Sequence, residues 1–313
     1  MSRSSKLSGR LQPYLEARGS FVLPPFVRYH WVSLSARDLW EPRFLKIRAA
    51  LKQMEIESVH RGLKAVSVLT VLQAELPCLS RMCVERRLGL LIDYEAPMGE
   101  VRVVIGSPTS LEAYQSALQS DDATRLAGLL GTPACCLRFA GEVYTSMGLS
   151  DLTVPLFLRG GALDEQQRCT VPQSCYEVEL NPLWRCVGLY TTPMYPCRLK
   201  CKRAKHRAVR FLQLGRELGY EREMEWLVAI LSWPLLWTAL HGIAEMKSPV
   251  IKIIHATDVS HRKVELALEG SLFPEQGAAG LQFPFYLSKQ TISHSRAYQK
   301  GVEHLEEARN SMV

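Results

Sequence analysis

Between Trp226 and Leu240 the chain runs WLVAILSWPLLWTAL, fifteen residues in which only Ser232, Pro234 and Thr238 interrupt strongly apolar side chains. A bilayer span needs about 20 mostly apolar residues, so this stretch has to be covered by the rest of the chain. Its dense apolar spacing, from Glu223 through to Met246, reads as one buried helix kinked at Pro234 and stopped by Ser248-Pro249. Material for such a core is present, because 47% of the 313 residues are hydrophobic and only 22% are charged. That balance excludes a largely disordered chain, and neither collagen-like nor coiled-coil repeats occur.

The length suggests one large domain with smaller appendages. An N-terminal arm and helix are expected over 1–60, a main α+β domain over 61–265, and a C-terminal loop and helix over 266–313. In the first segment, PRFLKIRAALKQMEIESVH from Pro42 to His60 has helical apolar spacing. The runs Leu88–Tyr94 and Val101–Ile105 flank the turn-like Ala96-Pro-Met-Gly99 and read as a β-hairpin. Thr109 with Glu112 makes a capping box for a helix to about Gln119, and Asp121 and Asp122 open a second helix that Gly131 ends. From Asp151 to Pro196 the pattern is looser, with short strands expected at Val154–Leu158 and Tyr176–Leu180. Helix resumes after Cys197, VIKIIHAT from Val250 is a strand, and a polar helix is expected from Ser293 or Ser295. The fold class that results is α+β, helix-dominated, with a small β-hairpin or sheet packed on a helical core.

Nine cysteines, an odd number, and a start without the apolar region of a signal peptide point to a reducing, cytoplasmic setting and no membrane association. Two cysteine motifs carry the chemistry. In Gly131-Thr-Pro-Ala-Cys-Cys, Thr132 suits an N-cap and Pro133 a first helical position, which puts Cys135 and Cys136 in the opening turn of a helix. Free N–H groups and the positive end of the dipole favour thiolate there. Since neighbouring residues point about 100° apart on a helix, only one of the pair is expected to reach a given metal. In Pro196-Cys-Arg-Leu-Lys-Cys, the i, i+4 spacing puts Cys197 and Cys201 on one helical face, as suits two ligands of one tetrahedral ion or of a cluster. A thiol redox pair and plain apolar packing stay open as alternatives.

Further along, His241 and Glu245 lie one turn apart on the expected helix, suited to a fourth ligand or an acid/base pair, or to an ordinary core histidine. His255 shares a strand face with Ile251 and Ile253, and Glu177 and Glu179 share another. No dinucleotide or Walker phosphate loop, Gly-x-Ser-x-Gly elbow, His-Glu-x-x-His helix or radical-enzyme C-x3-C-x2-C motif occurs.

The net charge is +7, from 38 Lys and Arg against 31 Asp and Glu. Arg198, Lys200, Lys202, Arg203, Lys205, Arg207 and Arg210 form a run of seven bases with no acid between them, equal to the whole surplus. Arg203, Arg207 and Arg210 share a helical face while the lysines scatter, and no aromatic residue stands among them to stack on bases. Nucleic acid is therefore disfavoured relative to a solvated helix, an anionic metabolite or a protein partner.

The order GTPACCLRFAGE, ELNPLW, YPCRLKCKRA and HGIAEMKSPVIKI resembles a prokaryotic family of unknown function marked by Gly-Tyr-Pro-x-Cys-Cys, Asn-Pro, Pro-Cys-Ser-x-x-Cys and His-Gly motifs. The resemblance covers roughly residues 85–260 and implies Pro133, Cys135, Cys136, Asn181, Pro196, Cys197, Cys201 and His241 as family positions. This chain has Thr132 where the family has Tyr and Arg198 where it has Ser. The expectation is a metal- or iron–sulfur-dependent enzyme, such as a biosynthetic enzyme or oxidoreductase, acting on a small anionic metabolite. Cys135 or Cys136, Cys197 and Cys201 would hold an iron–sulfur cluster or zinc, His241 and Glu245 would act in catalysis, and Arg198, Arg203 and Asn181 would bind substrate. The competing expectation is a non-catalytic module with a structural zinc–cysteine site and a basic helix that docks a protein or nucleic acid.

Overall fold

The structure, a computed structural model, describes residues 26–96, 99–147, 151–160, 168–258 and 263–274. The arm before Phe26 and the polar helix expected from Ser293 or Ser295 lie outside the described residues. After strand β1 (Val27–Trp31), helix α1 (Leu34–His60) starts eight residues before the expected Pro42. Ser33 caps it, its hydroxyl accepting from the Ala36 amide at 3.1 Å. Ala36 and Trp40 are buried ahead of Pro42, and that packing carries the helix through the proline. At 27 residues α1 is roughly 40 Å long, enough to serve two separate cores.

The first core surrounds a small antiparallel sheet, ordered β2 (Val66–Leu72), β4 (Glu100–Gly106), β3 (Gly89–Ala96), with helix α2 (Leu76–Glu85) between β2 and β3. β3 and β4 are the expected hairpin. Alternation assigns the two faces. Leu69, Val71, Val101, Val103 and Ile105 pack with Leu79 and Cys83 of α2 and with Ile56 of α1, while Val66 and Val104 meet Tyr114 on the other side. Tyr114 belongs to α3 (Pro108–Gln119), capped by Ser107 rather than Thr109, because Pro108 takes the first helical position and leaves the Ser110 amide facing Ser107. Helix α4 (Ala123–Leu129) follows, capped by Asp122 and ended at Gly131, whose φ is +73°.

Next come α5 (Ala134–Met147), α6 (Thr153–Gly160) and β5 (Arg168–Val171). The strand expected at Val154–Leu158 is thus helix: all five residues are buried, and an apolar run covered on every side has no period to betray it. The strand expected at Tyr176–Leu180 is instead part extended chain and part 3-10 turn (Val178–Leu180), so Glu177 and Glu179 share no strand face. Helices α7 (Lys202–Glu217) and α8 (Glu221–Leu231) complete the helical layer.

The largest departure is in the apolar stretch. Helix α8 ends at Leu231, and after Pro234 the chain becomes β6 (Leu235–Leu240), then β7 (Ile243–Lys247), β8 (Ile251–Ala256) and β9 (Val264–Leu268). Proline breaks this helix outright, since it lacks an N–H donor and clashes with the preceding turn. His241 and Gly242, at φ +50° and +79°, form the two-residue link between β6 and β7, the geometry tight hairpins favour. The result is a six-stranded sheet, β1-β8-β7-β6-β9-β5, antiparallel except for the β5–β9 pair. The fold is α+β as expected, with 51% helix and 22% strand among the described residues, but its second sheet is larger than the small one foreseen.

Trp233, in the link between α8 and β6, joins the layers. Its ring meets Trp40 of α1 edge-on at 4.6 Å and Trp184 at 5.7 Å, and it is 1% exposed. Asn181 secures the same junction: its amide donates to the Leu231 carbonyl at the end of α8, and its oxygen accepts from the Leu183 amide. Among the described residues no helix is long and apolar enough to cross a membrane. Trp233→Ala is expected to cost about 3–5 kcal/mol in urea unfolding; a loss below about 1 kcal/mol would contradict the central place given to this ring.

Candidate metal centre

Two proline-led helix starts meet at one point. Pro133 accepts the first helical hydrogen bond of α5, from the Leu137 amide at 3.0 Å, so the helix begins one residue later than Thr132 as cap would put it. Cys135 and Cys136 occupy its opening turn. Cys201 is the N-cap of α7, and its carbonyl accepts from Lys205. Cys197 precedes that helix, and the Cys201 amide returns to the Arg198 carbonyl at 3.1 Å. The C-x3-C pair is therefore a turn running into a helix, and not one face of a helix.

The four sulfur atoms lie within 4.8 Å of one another. Cys135 Sγ is 3.9 Å from Cys136 Sγ and 3.8 Å from Cys201 Sγ, and Cys136 Sγ is 3.8 Å from Cys201 Sγ. Both adjacent cysteines reach the centre, against the expectation that only one would. Helical Cα–Cβ bonds tilt toward the N-terminus, so two side chains that diverge around the axis can still converge on a point beyond the helix end. Cys136, Cys197 and Cys201 are buried and Cys135 is half-buried. These four can hold a metal ion.

Without a metal, one thiolate is held by its neighbours. Hydrogen bonds from Cys136, Cys201 and Cys135 and from the Arg198 guanidinium outweigh burial and lower Cys197 to about 5, the Cys136 bond being the largest influence. Cys136 moves upward, because its proton is held in the bond to Cys197 and its site is dry. Cys201 is also raised, chiefly by burial. Backbone amides act on the neighbouring sulfurs: that of Ala204 in the opening turn of α7 donates to Cys201, and that of Cys197 to Cys136.

The other expected site residues fall elsewhere. His241 is exposed in the β6–β7 turn rather than on a helix, and no histidine joins the cysteine group among the described residues. Glu245 lies on β7, where burial raises its pKa but hydrogen bonds and charge from Lys247 and Lys252 bring it below the ordinary value; it is an ionised partner of two lysines at neutral pH. His255 receives the Trp237 indole N–H at 3.2 Å. Asn181 is spent on the α8 junction, Arg198 stands over Cys197, and Arg203 is exposed beside Pro133. Glu177 pairs with Lys205.

Sequence reasoning missed what adjoins the centre. His206 and Arg207, one turn into α7, line two hollows against Gly131 and Pro133. Beneath them Glu55, 1% exposed, pairs with Lys64 and accepts from Ser67 at 2.6 Å and from Tyr190 at 3.3 Å. Burial and the charge of Glu55 keep Tyr190 protonated. The spacing of Arg203, His206, Arg207 and Arg210 could have flagged the hollows; nothing local marks Glu55.

Comparison with family models, with curated proteins and with solved structures finds no match to this chain.

Metal uptake must displace the protons that Cys136 and Cys201 hold, and raised thiol pKa values make that harder as pH falls. Each displaced proton weakens apparent affinity about tenfold per pH unit. With two such protons, zinc or cobalt competition titrations are expected to weaken about ten-thousandfold from about pH 8 to about pH 6; an affinity flat over that range would contradict binding through these thiols.

Proposed function

We propose that the four cysteines hold a single zinc ion, and that the protein is a binding module whose basic helix α7 docks an anionic partner. The sulfur spacing carries this reading. Tetrahedral zinc with Zn–S bonds of about 2.3 Å has sulfur–sulfur edges of about 3.8 Å; the three edges among Cys135, Cys136 and Cys201 are 3.8 to 3.9 Å, and all four sulfurs lie within 4.8 Å of one another. A multi-iron cluster spreads its thiolates further apart than one ion does. Four thiolates also complete the shell that structural zinc sites have, whereas catalytic sites keep a position open. The ion would tie the start of α5 to the start of α7, where Cys136 and Cys201 stand 65 residues apart in sequence. Convergence of Pro133, Cys135, Cys136, Cys197 and Cys201 on one place also supports kinship with the uncharacterised family that the motifs resemble.

The second reading, an iron–sulfur or other metal-dependent enzyme acting on an anionic metabolite, is favoured by one observation: Cys135 is half-buried, which opens one side of the centre toward solvent. Metal analysis and the absorption spectrum of anaerobically purified protein separate the two. The zinc module is expected to be colourless with one zinc per chain, and Cys197→Ser and Cys136→Ser are each expected to abolish stoichiometric zinc. Brown absorbance with iron and sulfide would establish the second reading instead. Metal-free protein in which Cys197→Ala changes nothing would overturn both.

A further inference from the structure

Two adjoining hollows share His206 and Arg207 as a common wall. One, about 160 Å³, has Leu63, Leu130, Met194 and Phe211 as its apolar side, with Arg207 and Arg210 also lining it. That is close to the roughly 150 Å³ cavity size that accepts a benzene ring. The other is a shallower groove of about 390 Å³ beside Pro133, lined by Lys202 and Arg203 with the shared pair. An apolar hollow of ring size therefore opens beside a strip of cations.

The charge there has no internal counterpart. Of the seven bases in the run, Lys205 pairs with Glu177 and Arg198 hydrogen-bonds Cys197. Lys200, Lys202, Arg203, Arg207 and Arg210 are exposed and have no carboxylate partner among the described residues. A zinc ion with four thiolates has a formal charge of −2, so even a full share of it would leave three of these five positive charges unmet. One carboxylate would neutralise one more; a chain of phosphates matches the remainder, and guanidinium groups bind phosphate oxygens in pairs. Lys202 is the first residue of the 16-residue α7, so the positive end of that helix dipole adds to the same field.

Arg207 is also held in place. Gly131, at φ +73°, lies so close under its guanidinium that an added Cβ would stand 2.6 Å from Arg207 Nη1. A side chain at 131 would both strain the turn and push Arg207 off the shared wall.

We propose that the paired hollows form a nucleotide site, with an aromatic base in the hollow lined by Leu63 and Phe211 and a di- or triphosphate along Lys202, Arg203 and Arg207. This rests on α7 as the docking face in the function proposed above and not on which metal the cysteines hold.

Isothermal titration calorimetry of the full chain, with metal content measured on the same sample, tests it using ADP, pyrophosphate, adenosine and a single-stranded RNA oligonucleotide as probes. ADP is expected to bind saturably and at least tenfold tighter than pyrophosphate or adenosine, and to weaken as salt is raised. Arg207→Ala and Gly131→Ala are each expected to weaken ADP at least tenfold while metal content stays at the wild-type value. Absence of saturable ADP binding overturns the proposal. So do equal affinities for ADP and pyrophosphate, an Arg207→Ala variant that binds ADP normally, or binding of the oligonucleotide alone. Loss of the zinc reading appears separately, as absent metal, whatever the ADP result.

Discussion

Four sulfur atoms within 4.8 Å of one another, three of them buried, are a constraint that few arrangements satisfy. As thiolates they repel strongly in a dry site, and as thiols they leave weak donors with little to hold them together. A cation among them would resolve the conflict, and the four cysteines are placed so that they can hold one. Helices α5 and α7 both begin there, the Ala204 amide of α7 donates to Cys201, and the Arg198 guanidinium hydrogen-bonds Cys197. The hollows along α7 inherit their shape from this junction, because Gly131 and Pro133 on one side and Lys202 to Arg210 on the other meet only where the cysteines bring them.

Around that junction the long helix α1 acts as the common wall. Trp40 and Phe44 near its beginning face the aromatic cluster of Trp184 and Trp233, while Ile56 near its end reaches the small sheet. Glu55 lies between the two, buried and held by Lys64, Ser67 and Tyr190. An ion pair in such a place is costly to desolvate and strongly destabilising to break. It binds α1 to the strand β2 and to the loop ahead of Cys197, so the floor of the ring-sized hollow is fixed from below.

How much of this could be read from residue order depended on whether the signal was local. The hairpin of β3 and β4 announced itself through two apolar runs and a turn, and Asp122 and Gly131 marked α4 at both ends. Residues 235–240 did not, because a strand mostly buried on both faces is a nearly continuous apolar run that no period distinguishes from a buried helix. Pro234 and His241-Gly242 were the usable clues: one ends a helix, and the other suits a two-residue turn. Four of the expected site residues, Cys135, Cys136, Cys197 and Cys201, do come together, but through a geometry that helical spacing alone misdescribed. His241 and Glu245 followed the mistaken helix and went elsewhere with it. The hollows are assembled from α1, the turn after α4, α7 and the chain near Thr191, a combination that only the tertiary fold creates.

The central claim is that one ion occupies a complete shell of sulfur, and X-ray absorption at the metal edge of the purified protein measures that shell directly. A single first shell of four sulfur atoms at about 2.3 Å from zinc, lost in the Cys197→Ser protein, is the predicted result. Nitrogen or oxygen neighbours in that shell, or a second metal close by, would contradict it.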